Sequence, residues 1–227
     1  MLKKFEELPA SFQNENVKKY YDILYKKRFS LFVKRLFDII VSFSMLTVLL
    51  PIFLIIAVII KLDSKGPVFF RQVRVTTCGK DFKIFKFRTM VNNADKMGTL
   101  VTLKNDSRVT RVGNLIRKTR IDELPQLINI LLGDMTFVGT RPEVVKYVDK
   151  YTSEMYATLL MPAGVTSEAS IFYKDEDRLL DNSDDPDRTY VEDILPEKMK
   201  YNLRYIENFG FFSDIGIMIK TVIAVLS

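Results

Sequence analysis

Residues 39–60 read IIVSFSMLTVLLPIFLIIAVII, twenty-two positions without a charge. As one straight helix this run measures about 33 Å, against a hydrocarbon core of about 30 Å. Core helices of soluble domains seldom run so long without polar residues, so the run reads as a membrane segment. A cleaved signal peptide is not expected. The run starts far from Met1, exceeds the apolar region of such signals, and is followed by KLDSKGP in place of a small-residue cleavage site.

Two features bear on whether the segment crosses the bilayer. Pro51 sits near its middle and removes one helical hydrogen bond, so a break or kink is expected there. Both flanks are basic: Lys26, Lys27, Arg28, Lys34 and Arg35 before it, Lys61, Lys65, Arg71 and Arg74 after it. A spanning helix usually shows an imbalance, with the positive charge on the cytoplasmic side. Equal flanks suit a helix-break-helix that enters and leaves on one side. A spanning helix that accommodates its proline is the alternative. Ser42, Ser44 and Thr47 are candidates to satisfy carbonyls freed by the proline.

The charge of the chain is unevenly placed. The net value is +6, but residues 61–120 hold fifteen Lys or Arg against four acids, while residues 175–193 hold nine acids against two bases. A basic block of this kind suits phosphates, anionic lipid or nucleic acid, or is simply a solvated face. Cys78 is the single cysteine, so no intramolecular disulfide forms. The chain has no histidine. That removes Ser-His and Cys-His nucleophile pairs and histidine metal ligands, leaving carboxylates, Lys, Tyr or the substrate itself for acid–base work.

Around the apolar run, residues 1–30 suit a short amphipathic helix. Val68–Val75 and Lys80–Phe87 read as a β-hairpin turning at Thr76–Gly79. Helical segments are expected from Leu115, from Asp122 to Leu132 ending at Gly133, over Val144–Leu160 and over Pro196–Tyr205, with Asp134–Pro142 a loop. Near the end, Ile215, Met218, Ile219, Val222, Ile223 and Leu226 fall on one helix face, which suits a membrane interface or a core contact. The acidic stretch resembles a calcium loop at Asp181, Ser183, Asp185 and Glu192. Pro186 stands where that loop needs glycine, so a solvated acidic loop is the preferred reading.

The basic block runs into an adjacent carboxylate pair, Asp122 and Glu123. A carboxylate that must act beside phosphates needs positive charge to offset them. Guanidinium is permanently charged and grips phosphate at two points. An Asp can attack phosphorus to give an acyl-phosphate, and a neighbouring Glu can hold Mg²⁺, which also takes phosphate oxygens. Asp122 also suits a plain N-cap with Pro125 in the first turn. Both readings stand together, since a helix N-terminus also attracts anions.

The segments KRLFDIIVSFSMLTVLLP, GPVFFRQVR, FKIFKFRTM, RVTRVGNLIRKTRIDELPQLINILLGDMTFVGTRP and PAGVTSEASI, in this order from Lys34 onward, resemble the bacterial sugar transferase family, the monotopic polyprenyl-phosphate phosphoglycosyl transferases. The resemblance implies transfer of a sugar-1-phosphate from a UDP-sugar to undecaprenyl phosphate, with release of UMP and with Mg²⁺. It implies a place at the cytoplasmic face of the bacterial inner membrane and a helix broken at Pro51. Carried over by motif, it makes Asp122 the nucleophile and Glu123 the metal ligand, and gives Lys86, Arg88, Arg117 and Arg141 to substrate phosphates or to orienting the pair. The implied fold is α+β, mainly α: an N-terminal extension (1–33), a re-entrant helix-break-helix (34–62), and a cytoplasmic domain (63–227) with a small β-hairpin and interfacial amphipathic helices.

The chain departs from the family pattern in three places. Thr140 stands in GTRP where the family has proline, which bears on the loop's rigidity. Leu50 replaces the serine before the breaking proline. TSEASIFYKDE replaces the commoner text after Pro162. The expected partners are a UDP-sugar, undecaprenyl phosphate and membrane lipids; nucleic acid is not expected, and a homodimer is compatible with this reading. The alternatives are a membrane-tethered scaffold without catalysis, or a nucleic-acid- or anionic-lipid-binding module. The nucleic-acid reading leaves the carboxylate pair and the apolar run without a role.

Overall fold

The computed structural model describes residues 2–94, 106–174, 176–181 and 185–226. Lys96 and Lys104 of the basic block and Ser183 of the calcium-loop reading lie outside them. After two short 3-10 turns the chain forms α1 (Glu15–Lys26), capped by the Asn14 side chain accepting from the Val17 N–H. Its Val17, Tyr20, Tyr21 and Leu24 are buried in the main core. The expected amphipathic helix of the N-terminal segment is therefore an integral part of that core.

Helix α2 spans Arg28–Asp63 and continues through Pro51 without interruption. The break expected at Pro51 is absent as a gap in the helix, as membrane-type helices can accept proline. The hydroxyls do not satisfy the carbonyl that Pro51 frees, which belongs to Thr47. Thr47 Oγ1 donates to the Phe43 carbonyl and Ser42 Oγ to that of Ile39, each toward the preceding turn. Only 17% of the most apolar window of α2 is buried, which excludes an ordinary core helix. The helix is long and apolar enough to cross a membrane.

Contacts to the folded body run along almost all of α2. Lys34 Nζ reaches Asp214 Oδ2 at 2.5 Å and the Val138 carbonyl at 2.8 Å. Arg35 donates to the carbonyls of Ile130 and Leu131. The buried Asp38 accepts from Thr136. Phe53 stacks edge-on against Phe87, and Asp63 accepts from the Val112 N–H. Positions 34 and 63 of a straight helix lie about 44 Å apart. Between them Val48, Leu54 and Val58 point outward, exposed.

The hairpin follows as expected: β1 (Phe69–Val75) pairs antiparallel with β2 (Asp81–Phe87). On β2, alternate residues share a face. Phe82 and Ile84 are buried on one face, and Lys86 follows them on the same face. Phe87, on the other face, packs against Phe53 and Ile116. Next come α3 (Arg111–Lys118), a single 3-10 turn at Ile121–Glu123, and α4 (Gln126–Leu132), ended by Gly133 in the left-handed conformation.

Three sequence expectations need correction. Asp134–Pro142 is not all loop: β3 (Met135–Val138) pairs in parallel with β4 (Ala163–Thr166). Four residues are too few for a periodicity to show, and the partner strand is distant in the chain. Val144–Leu160 is not one helix but a short α5 (Val145–Val148) and a 3-10 segment (Met155–Leu160); between them the Thr152 hydroxyl accepts from the Met155 N–H in a side-chain turn. Asp122 does not cap α4, whose N-terminal flanking residue is Pro125.

The remaining elements are α6 (Glu168–Phe172), α7 (Glu176–Asp181), α8 (Pro186–Thr189), a π-helical turn (Tyr190–Ile194), α9 (Leu195–Glu207) and α10 (Phe211–Leu226). In the acidic stretch Asp185 caps α8 and Glu192 pairs with Arg188 at 2.9 Å. On α10, Asp214 and Ile217 are buried and Thr221 meets Thr166 at 2.7 Å. Of the predicted apolar stripe, Ile219, Val222 and Ile223 are exposed, while Met218 packs against the main core. The two apolar surfaces, on α2 and α10, belong to helices locked together by the Lys34–Asp214 pair.

Candidate active site

The carboxylate pair sits in a strained turn. Arg120 closes α3 with a φ of 57°, a left-handed conformation rare outside glycine. The Ile121–Glu123 turn follows at once. Pro125 has no N–H to extend it, so α4 starts afresh at Gln126. Asn129 on α4 then ties this helix to the hairpin. Its Oδ1 accepts from the Phe85 N–H at 2.8 Å, and its Nδ2 donates to the Lys83 carbonyl at 3.0 Å. This two-point clasp sets α4 against β2 and brings Glu123 opposite Lys86.

Lys86 Nζ lies 2.9 Å from Glu123 Oε1. Arg141 grips the same carboxylate with both terminal nitrogens: Nη2 makes a close contact with Oε1, and Nη1 lies 3.3 Å from Oε2. Arg141 also donates to the Val165 carbonyl at 3.3 Å. Burial pushes the Glu123 carboxyl up, but Arg141 and Lys86 outweigh it and hold the group well below the usual carboxylate range. Burial lowers the Lys86 ammonium, with Glu123 opposing that effect.

Asp122 behaves differently. No hydrogen bond or ion pair reaches its half-buried carboxylate among the described residues. Burial raises its pKa, Lys86 lowers it, Glu123 raises it, and Arg117 and Arg141 lower it. The net direction is upward. Two adjacent acids are thus driven apart: Glu123 is locked as an anion between two cations, and Asp122 is an unpaired, more basic carboxylate. Divergent environments of this kind separate the roles of paired acids.

The loop carrying Arg141 is firmly held. Gly139 N–H donates to the Thr166 carbonyl at 3.0 Å, and the Thr140 carbonyl accepts from the Gly164 N–H at 2.8 Å. Arg74 donates to the Pro142 carbonyl and the Val75 N–H to that of Glu143, both at 3.0 Å. The backbones cross so closely at Gly164 that a Cβ there would lie 2.1 Å from the Gly139 oxygen. Thr140 in place of proline therefore leaves a loop pinned from both sides.

The structure brings together Lys86, Asp122, Glu123, Arg117 and Arg141. Arg88 is elsewhere. Its guanidinium is buried at the end of α2, donating to the carbonyls of Ser64 and Lys65 and to the Ser64 hydroxyl. Gly66, with a φ of 133°, leaves it room: a Cβ there would sit 1.9 Å from Arg88 Nη1. In this state Arg88 caps the helix end and does not face the pair.

Glu123 and Arg141 open onto a cavity of about 430 Å³ between α2, α4, the β3–β4 pair, α6 and α10. Met45, Leu127, Phe137 and Val225 give it an apolar wall, and Lys118, Arg120 and Lys174 join Arg141 in lining it with positive charge. Asn129 and Lys174 were not singled out by sequence reasoning. Lys118 and Arg120 stand in the basic block, but nothing in their spacing distinguishes them from its other members.

Basic side chains thus gather around the largely buried Glu123 at the mouth of the cavity. The family model for bacterial sugar transferases matches residues 29–227. The chain belongs to the bacterial sugar transferase family. It is 38% identical over 200 residues, 86% of its length, to the UDP-N-acetylgalactosamine-undecaprenyl-phosphate N-acetylgalactosaminephosphotransferase of Aeromonas hydrophila, covering 44% of that protein. It is 36% identical over 195 residues, 84% of its length, to the UDP-glucose:undecaprenyl-phosphate glucose-1-phosphate transferase of Escherichia coli (strain K12), covering 39% of it. The chain thus spans less than half the length of these two relatives. It spans 96% of the exopolysaccharide production protein PSS of Rhizobium leguminosarum bv. phaseoli, at 36% identity over 204 residues, 87% of its own length.

Glu123, with Asp122 beside it, is the residue here that could hold a divalent ion. Among the described residues no cluster of three or more His, Cys, Asp or Glu exists. Asp122 and Glu123 supply two adjacent carboxylates, the number that Mg²⁺ takes from protein where phosphate oxygens complete its shell. The donor set fits an ion shared with a substrate and not one held by protein alone.

Proposed function

We propose that this chain transfers a sugar-1-phosphate from a UDP-sugar to undecaprenyl phosphate, through a covalent phosphosugar on Asp122. The observation that carries the proposal is the divergence of the two acids: Asp122 is unpaired and raised by burial, beside a Glu123 neutralised by Lys86 and Arg141. An ionised Asp122 Oδ attacks the phosphorus that bears the sugar. The bond from that phosphorus to the bridging oxygen breaks, and UMP leaves with the oxygen. An oxygen of undecaprenyl phosphate then attacks the same phosphorus, the acyl-phosphate bond breaks, and Asp122 returns as a carboxylate. Both half-reactions pass through the one carboxylate of Asp122 and one cationic pocket, which suits a ping-pong order.

Arg141 and Lys86 hold positive charge where the diphosphate must approach, and Arg117 adds to it at Asp122. Arg88 contributes only if a bound substrate draws it from the end of α2. A Mg²⁺ held by Glu123 would neutralise phosphate charge when bound. The relatives' names supply the substrate classes; their sugars differ, so the sugar of this chain is open to a UDP-sugar panel.

We further propose a monotopic arrangement on the cytoplasmic face of the inner membrane. Support comes from α2, which touches one folded body from Lys34 to Asp63 and exposes an apolar face between, next to the outward stripe of α10. A helix crossing the bilayer would have to leave that body behind at one end. UMP release measured across a UDP-sugar panel with undecaprenyl phosphate tests the chemistry. Release with one or more sugars is expected; none with any sugar would leave the scaffold reading in its place.

A further inference from the structure

Gln126 opens α4, three residues beyond Glu123, and is 1% exposed. Its Nε2 is buried and has no hydrogen-bond partner. A buried amide without a partner is costly, and native structures keep few of them. Its position adds meaning, because Gln126 lines the same cavity as Glu123 and Arg141. Its neighbours Leu127 and Ile130 are buried apolar side chains, and a residue of similar size without polar atoms would fill the same space at less cost.

Resting on the function proposed above, we propose that Gln126 is a substrate-contacting residue whose amide N–H donates to a phosphoryl oxygen of a bound substrate. The terminal torsion of glutamine is soft, so a bound acceptor can turn the amide toward the cavity. A neutral donor adds a hydrogen bond to phosphate without adding charge to a site where Lys86 and Arg141 already compensate Glu123. The phosphoryl oxygen comes either from the UDP-sugar or from the lipid phosphate, and the two sources separate kinetically.

The experiment uses the full chain in detergent or nanodiscs, as wild type, Gln126→Met and Gln126→Glu. Thermal unfolding is measured beside initial rates of UMP release, varying UDP-sugar at saturating undecaprenyl phosphate and the reverse. Expected for Gln126→Met is a melting temperature equal to or above wild type, with kcat/KM lower by roughly 10–100-fold, the range of one hydrogen bond to a charged group. A loss confined to the UDP-sugar arm assigns the contact to the donor; a loss confined to the lipid arm assigns it to the acceptor. Gln126→Glu, which puts a negative charge against phosphate, is expected to lose more. Unchanged kcat/KM in both arms for Gln126→Met overturns the proposal. So does a loss matched by a fall in melting temperature that Gln126→Glu shares, since that is a packing role. Wild-type protein that releases no UMP from any UDP-sugar overturns the parent reading and this inference with it, and the wild-type arm alone reveals that case.

Discussion

Lys86 and Glu123, thirty-seven positions apart in the chain, meet at 2.9 Å because Asn129 clasps α4 to the edge of β2. The ion pair is thus set by a hairpin register and a side-chain bridge, with Arg141 closing on the other side of the carboxylate. Its consequences are open to mutation.

Removing the Glu123 charge should leave two largely buried cations without their anion. Glu123→Gln is expected to cost roughly 3 kcal/mol of stability, the range for breaking a largely buried pair. Because the folded carboxyl is held below its unfolded value, its contribution is present above the unfolded pKa and is lost as pH falls through the depressed folded one. Denaturant unfolding at a series of pH values should show wild type losing stability on acidification more steeply than the variant.

The pH dependence of catalysis should report Asp122. The nucleophile must be ionised, and burial raises its pKa, so kcat/KM should fall on acidification at a pH above the ordinary aspartate range. Lys86 opposes that rise. Lys86→Met should therefore move the acid limb to higher pH, in addition to lowering the plateau. An acid limb that stays in place would separate Lys86 from Asp122.

Gly164→Ala tests the crossing that pins the Arg141 loop. The new Cβ would meet the Gly139 backbone at 2.1–2.5 Å, with no flexible side chain to give way. Destabilisation of roughly 2–3 kcal/mol is expected, with a loss of activity greater than the lost folded fraction explains. Circular dichroism melts beside UMP-release rates distinguish the two.

Lys34→Met tests the joint between α2 and α10. Lys34 and Asp214 are both buried, and Tyr205 donates to the same carboxylate at 2.8 Å. Loss of one partner should cost roughly 3–5 kcal/mol and loosen α10, read as faster amide exchange in Phe211–Leu226.

The parts of this molecule legible in its sequence are those with a local signal. The β-hairpin follows from Val, Phe and Ile around Thr76–Gly79, the end of α4 from Gly133, and the long apolar helix from an uncharged run. The β3–β4 pair was not legible, because MTFV and AGVT are too short and are joined only by tertiary contact. In the site, Asp122, Glu123 and Arg141 stand out as motif residues. The difference between the two acids does not, because it arises from Lys86 and Arg141 hydrogen-bonding Glu123 while Asp122 feels only their charge. Arg88 reads as a phosphate ligand from its neighbourhood in KFRTM, yet its nearest acceptors are the carbonyls that end α2.

The most direct test is to incubate purified protein with a turned-over UDP-sugar in the absence of lipid phosphate, quench it, and locate the adduct by peptide mass spectrometry. One phosphosugar on the peptide bearing Asp122, absent from Asp122→Asn and discharged by undecaprenyl phosphate, is the predicted result. An adduct on another residue, or full UMP release by Asp122→Asn, would contradict it.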